Sequence, residues 1–220
     1  LCAFGIVVFF ATVHSPFLYD DSHAIENNPY IKDLSNYQKN IGIQNIFNRS
    51  VLLLTFAINN AVGQVDTFGY HLVNITLHLC VGVVLYFLTS QILSLENRPM
   101  QSKLKNLPLV VSLIHLINPI NVQAVTYISS RSSVLVTFFY LLSFYLFVRF
   151  RELDDRLTNK WVYFFYPLTI LLLFFLGLGT KEIIVTLPIL VVLYLWIEPK
   201  KNNFQKYLPE LAVIFIPLII

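Results

Sequence analysis

The chain has 220 residues, 56% hydrophobic and only 12% charged, with a mean hydropathy of +0.68, a balance that excludes an ordinary soluble domain. Its net charge of +3 comes from scattered cations without a Lys/Arg run, which excludes a phosphate-tracking nucleic-acid surface. Cys2 and Cys80 lie far apart in apolar stretches and offer neither a disulfide framework nor metal-ligand spacing.

A bilayer-spanning helix needs about 20 apolar residues, and the hydrophobic runs place such segments in order. The first covers 1–13, shortened at its start, so the chain is expected to be a piece of a longer protein. It leads into Phe17-Leu18-Tyr19-Asp20-Asp21-Ser22-His23. Two adjacent carboxylates thus stand at a membrane edge, where ionisable groups are costly and commonly functional. Asp20 and Asp21 fit three roles: a solvated turn after a helix end, a tuned general base, or a cation ligand.

The loop of about fifty residues that follows is too long for a plain connector. Within it, residues 50–62 are apolar but too short to span, which predicts an amphipathic helix lying in the membrane interface. Asn48-Arg49-Ser50 matches the glycan-acceptor pattern.

The second span is expected over 68–95. It carries His71, Asn74 and His78 at spacings of three, four and seven, one stripe of a helix. Such a stripe either lines a wet interior or hydrogen-bonds neighbouring helices. His71 is nearest the start of the span and is the better site candidate. The third span, 107–128, is interrupted at Asn118-Pro119 and ends at Ser129-Ser130-Arg131. Spans four to six follow at 132–150, 161–178 and 183–197, and a seventh starts near 207. Lys181-Glu182 falls in the tight turn between the fifth and the sixth. Arg131 fits a phosphate ligand or a cation snorkelling to lipid headgroups; Lys181-Glu182 fits a phosphate or substrate contact or a self-paired turn.

Ten of the fifteen Lys and Arg residues fall in three short loops: Arg98, Lys103 and Lys105; Arg149, Arg151, Arg156 and Lys160; Lys200, Lys201 and Lys206. The positive-inside rule makes that side cytoplasmic. Asp20, Asp21, His71, Arg131, Lys181 and Glu182 then gather on the outer side. The expected fold is an all-α polytopic bundle of about seven spans. No phosphate-binding glycine loop, serine-hydrolase elbow or zinc spacing appears, so an energy-coupled pump or a serine hydrolase finds no support.

Four motifs occur in order: Tyr19-Asp20-Asp21; Tyr70-His71-Leu72-Val73-Asn74 with His78; Asn118-Pro119-Ile120-Asn121 through Val125 with Ser130-Arg131; and Gly179-Thr180-Lys181-Glu182 with Leu187-Pro188. The series resembles the N-terminal membrane module of the transmembrane and tetratricopeptide repeat-containing proteins, which are similar to the protein O-mannosyltransferases and other C-type glycosyltransferases. The resemblance runs through nearly the whole chain. It implies a polytopic enzyme that moves a mannose-like hexose from a polyprenyl- or dolichyl-phosphate donor to a hydroxyl of a protein or glycan acceptor. The reaction would take place on the periplasmic or lumenal face of a bacterial inner membrane or of the endoplasmic reticulum.

The same resemblance implies that the acidic pair carries the catalytic carboxylate, with Asp20 as the base. It also implies tetratricopeptide repeats beyond residue 220. The resemblance implies a lipid-linked sugar as donor substrate and fixes no cofactor; a divalent cation, as in some C-type enzymes, would sit on Asp20 and Asp21. Two positions depart from the pattern: Asn118-Pro119 stands where relatives often have His-Pro, and Asp21 stands where a Glu is usual. A non-catalytic membrane anchor for a repeat scaffold is the alternative. A transporter is disfavoured, because the fifth and sixth spans are almost purely apolar below their outer ends.

Overall fold

A computed structural model describes residues 2–32, 49–95, 98–154 and 160–197. Every regular element among the described residues is helical. The chain opens with α1 (Cys2–Phe9), runs on in a 3₁₀ turn to Thr12, and reaches Asp20-Asp21 through a short extended stretch. A π-helical turn, Ser22–Glu26, and the one-turn α2 (Pro29–Lys32) follow. The apolar run after residue 49 folds as α3 (Ser50–Gly63).

The long helix α4 (Thr67–Ser94) starts at Asp66, whose carboxylate accepts the Phe68 N–H at 3.1 Å and satisfies a donor that the first helical turn leaves open. After the short α5 (Arg98–Lys103), α6 (Leu107–Ile117) stops at Asn118. That residue is extended (ψ 123°), as the ring of a following proline demands, and its side chain accepts the Ile120 N–H at 3.1 Å. The chain resumes through Pro119–Asn121 into α7 (Val122–Thr126) at an angle of 48°. The interruption expected at Asn118-Pro119 is therefore a bend. The helix α8 (Arg131–Asp154) returns alongside α4, and α9 (Lys160–Leu178) packs on α8. A 3₁₀ turn (Glu182–Thr186) then leads into α10 (Leu187–Ile197).

Among the described residues, two stretches, Thr67–Ser94 and Ile128–Glu152, are long and apolar enough to cross a membrane, or three if the bent pair of α6 and 119–126 counts as one. On the shorter apolar helices, large side chains such as Val7, Phe164, Leu172 and Trp196 are exposed, as a lipid-facing surface requires. The chain is a helical membrane protein. The expected spans at 1–13, 161–178 and 183–197 fall on shorter apolar helices, Cys2–Thr12, Phe164–Leu178 and Glu182–Ile197. The seventh, from about 207, lies outside the described residues.

The core is built where α8 meets α4 on one side and α9 on the other, around Leu88, Phe139, Phe147, Phe174 and Ile184. A smaller cluster of Ile25, Ile31, Leu52, Phe56, Tyr70 and Ile128 fixes α2 and α3 against the start of α4. This second cluster lies directly under the polar residues described next.

Candidate functional site

An open cleft of about 490 Å³ lies between the Asp20 turn, the start of α3, the 127–133 segment and Lys181. Its charged and titratable lining is Asp20, His23, Arg49 and Lys181. Hydroxyls from Tyr127, Ser129, Ser130, Ser132 and Ser133 line one wall, and Leu52, Leu53 and Phe56 of α3 line another. Four segments far apart in sequence converge here.

Asp20 is exposed, and its backbone N–H donates to the Tyr127 hydroxyl at 2.8 Å, which fixes the backbone while leaving the carboxylate turned to the cleft. The preceding residue, Tyr19, has a left-handed backbone (φ 46°). A non-glycine residue there costs roughly 1–3 kcal/mol and persists only where neighbours over-determine it. Asp21 does so. It is 1% exposed, and its two carboxylate oxygens accept the N–H groups of Ser129 (2.7 Å) and Leu18 (3.1 Å). The adjacent acids thus have opposite environments: Asp21 ties the turn to the cleft wall, and Asp20 faces the opening.

A two-carboxylate cation seat does not fit this arrangement. Both Asp21 oxygens are turned to backbone donors and away from solvent, and among the described residues no group of three His, Cys, Asp or Glu side chains stands close enough to hold an ion.

His71, Asn74 and His78 share one stripe of α4, as their spacing predicts, and all three are buried. The His71 Nε2 lies 3.0 Å from the Ser15 carbonyl oxygen; a carbonyl only accepts, so Nε2 carries the proton and holds the strand leading to Asp20. His78 Nε2 reaches the Leu116 carbonyl at 3.3 Å, and its ring lies 4.6 Å from that of His115. Asn74 donates to the Val125 and Ile128 carbonyls at 3.3 and 3.5 Å. The stripe binds α4 to its neighbours; none of its three residues lines the Asp20 cleft, and His78 faces a separate cavity beside His115.

Arg131 is 0% exposed and makes four hydrogen bonds, every one to a neutral acceptor: Asn74 Oδ1 (2.7 Å) from Nε, Asn59 Oδ1 (2.7 Å) and Thr55 Oγ1 (3.2 Å) from Nη1, and the Tyr70 carbonyl (3.0 Å) from Nη2. Its guanidinium also stacks over Phe56, 4.6 Å from the ring centroid. It stands behind the cleft wall rather than in it.

Lys181 is half-buried, lines the cleft and donates from Nζ to the Ser133 hydroxyl at 3.0 Å. Glu182 is exposed, opens the 3₁₀ turn and does not line the cleft. The structure therefore brings Asp20 and Lys181 to one opening and sets Asp21, His71 and Arg131 into its frame. Sequence reasoning missed Arg49, Tyr127 and the serines of 129–133 as lining residues. For Arg131 a signal was present: Thr55 and Asn59 on α3, and Tyr70 and Asn74 on α4, are each spaced four apart and so each form a polar patch on one helix face.

This chain is similar in sequence to several curated proteins. It is similar to the protein O-mannosyl-transferase F38B6.6 of Caenorhabditis elegans, at 25% identity over 97% of this chain and 30% of that protein. The human protein O-mannosyl-transferases TMTC2 (27% identity, 74% of this chain, 20% of that protein) and TMTC3 (28%, 50% and 11%) are similar as well. The likeness to the transmembrane and tetratricopeptide repeat-containing proteins read from its motifs is thereby borne out. The chain spans less than a third of the length of these curated relatives. No family model and no solved structure matches it.

Proposed function

We propose that this chain is the membrane module of a glycosyltransferase that moves a mannose-like hexose from a polyprenyl- or dolichyl-phosphate to a Ser/Thr hydroxyl of a protein. The relatives' names supply the reaction class. The observation that carries the reading is the exposed Asp20, whose carboxylate makes no hydrogen bond or ion pair among the described residues, in an open cleft that Lys181 also lines.

A glycosyl phosphate is an activated donor, so its leaving group needs charge stabilisation more than it needs a proton. The acceptor hydroxyl gives its proton to an Asp20 oxygen as its own oxygen bonds to the anomeric carbon. The bond from that carbon to the phosphate oxygen breaks, and the phosphate departs with the electron pair on its lipid. Lys181 Nζ meets the charge that develops there. The Tyr127 hydroxyl and Asp21 hold Asp20 in place beforehand, which favours reaction geometry without entering it. Arg131 and Glu182 have no part in this step: the first is closed to solvent with four of its five N–H donors engaged by protein acceptors, and the second is an anion outside the cleft.

The module is multi-pass, with about seven spans, and the cation-rich loops mark its cytoplasmic side. The cleft then opens to the lumen or periplasm, α3 lies along the interface, and the donor's tail lies between helices. Tetratricopeptide repeats follow residue 220, as the resemblance implies. Asp20→Asn in the full-length protein tests the base: transfer from a polyprenyl-phosphate hexose should fall on the order of 10²- to 10⁴-fold. An unchanged rate sinks the assignment. A wild-type protein that transfers no sugar across donors and acceptors is instead a membrane anchor.

A further inference from the structure

An anionic donor approaching a cleft that already contains a carboxylate needs more than one cation. Arg131 cannot supply it, since Nε, Nη1 and Nη2 all donate to protein acceptors and the residue is closed to solvent. Arg49 can. It is exposed and lines the same cleft, and its guanidinium makes no hydrogen bond or ion pair among the described residues.

We propose that Arg49 is the second cation that holds the donor's phosphate, paired with Lys181 across the cleft, a step that rests on the glycosyl-transfer reading above. Its placement is built into the fold. The first N–H groups of α3, on Val51 and Leu52, reach the carbonyl of Gly179 at 2.8 and 3.5 Å. Arg49 precedes Val51 by two residues, and Lys181 follows Gly179 by two. This backbone contact therefore pins the chain two residues from each cation, although the two stand 132 positions apart in sequence. Gly179 permits the approach: a Cβ there would stand 2.5 Å from Val51 Cγ2 and 3.1 Å from Ser50 Oγ. Arg49 itself adopts a left-handed backbone (φ 57°, ψ 33°), which turns the chain sharply into α3 at the cleft edge.

The two cations divide the work by shape. The Arg49 fork presents parallel N–H groups that match two phosphate oxygens, whereas Lys181 is a point charge anchored on Ser133. Two cations and one carboxylate leave the cleft with a single net positive charge, complementary to the phosphodiester of the donor. The excess is larger still toward the phosphate monoester that departs, so the pair favours the transition state.

The test measures binding of polyprenyl phosphate, without sugar, to the full-length protein in neutral phosphatidylcholine nanodiscs. Arg49→Gln should weaken binding about tenfold, with Lys181→Gln similar and Arg49→Lys intermediate, as expected for loss of one charge-assisted contact. The same Arg49 variant should raise the donor KM and leave the acceptor KM and the melting temperature unchanged. Inorganic phosphate should compete weakly and phosphatidylglycerol not at all. Binding within twofold of wild type in Arg49→Gln, alongside a loss in Lys181→Gln, overturns the assignment. Equal competition by phosphatidylglycerol overturns it too, because Arg49 then contacts bulk lipid headgroups. A wild-type protein that binds no polyprenyl phosphate removes the glycosyl-transfer reading itself, a result distinct from either.

Discussion

The two ends of α8 each carry an arginine beside α4, and they use it in opposite ways. Arg131, at the start, is fully buried and held by four neutral acceptors from α3 and α4. Arg149, eighteen residues on and so roughly 27 Å along the axis at 1.5 Å per residue, is exposed. Its Nη1 donates to the Gln91 amide oxygen at 2.9 Å, while the Gln91 amide nitrogen donates to Glu152. One cation is closed to solvent and bonds no carboxylate among the described residues; the other has both an acid nearby and an opening of about 260 Å³ around it. A desolvated cation surrounded by neutral dipoles tolerates little displacement, because each lost acceptor leaves a buried group unpaired. The difference teaches that the Arg131 end is built for fixed geometry, and it is the end that carries the cleft.

The strongest way to break this contrast is to remove the buried guanidinium. Arg131→Met keeps the stem but takes a donor from Asn74 Oδ1, Asn59 Oδ1, Thr55 Oγ1 and the Tyr70 carbonyl, and each buried acceptor left unpaired costs roughly 1–3 kcal/mol before relaxation. A net destabilisation of about 3 kcal/mol or more is expected. The variant should show a clearly lowered melting temperature in detergent and faster proteolysis near residue 49, where α3 comes loose. A melting curve that superimposes on wild type would mean that Arg131 is not the strut between α3 and α4.

Gly179→Ala probes the same end from the outside. The added methyl meets a stiff valine at 2.5 Å, and overpacking of this kind costs about 1–3 kcal/mol. It should also push the start of α3 from the Lys181 turn, so donor KM rises more than stability falls. A variant with raised KM and near-normal melting would sharpen the contrast, separating the site's geometry from the fold's stability. A variant unchanged in both would show that the contact between α3 and Gly179 does not set the cleft.

Hydrophobic run length made the α4 and α8 helices legible, and proline made the bend after Ile117 legible, because both effects are local. The 50–62 segment was likewise legible as a helix, realised as Ser50–Gly63. Direction was not legible. Asp20 and Asp21 are neighbours of identical chemistry, and only the left-handed Tyr19 and the distant Ser129 N–H decide which one turns inward. Arg49 was hidden for a related reason: its meeting with Lys181 depends on a close backbone approach at Gly179, which no spacing rule encodes. For Arg131, the position at the start of a helix was readable, but burial among neutral acceptors is a tertiary property of three helices.

The smallest expected effect belongs to the far end of α8. Arg149→Gln removes an exposed cation whose partner is the Gln91 amide oxygen, and a contact held by an exposed, solvated side chain contributes less than about 1 kcal/mol. Melting temperature and donor KM should both stay near wild type. The Gln91 amide still donates to Glu152 and to Ser94, so this side chain is not stranded. The decisive quantity is the ratio of the two arginine effects rather than either alone. If Arg149→Gln destabilised as much as Arg131→Met, burial would not be what separates the two ends. The polar cluster around Gln91 would then be a second strut, holding α4 to α8 at the end away from the cleft.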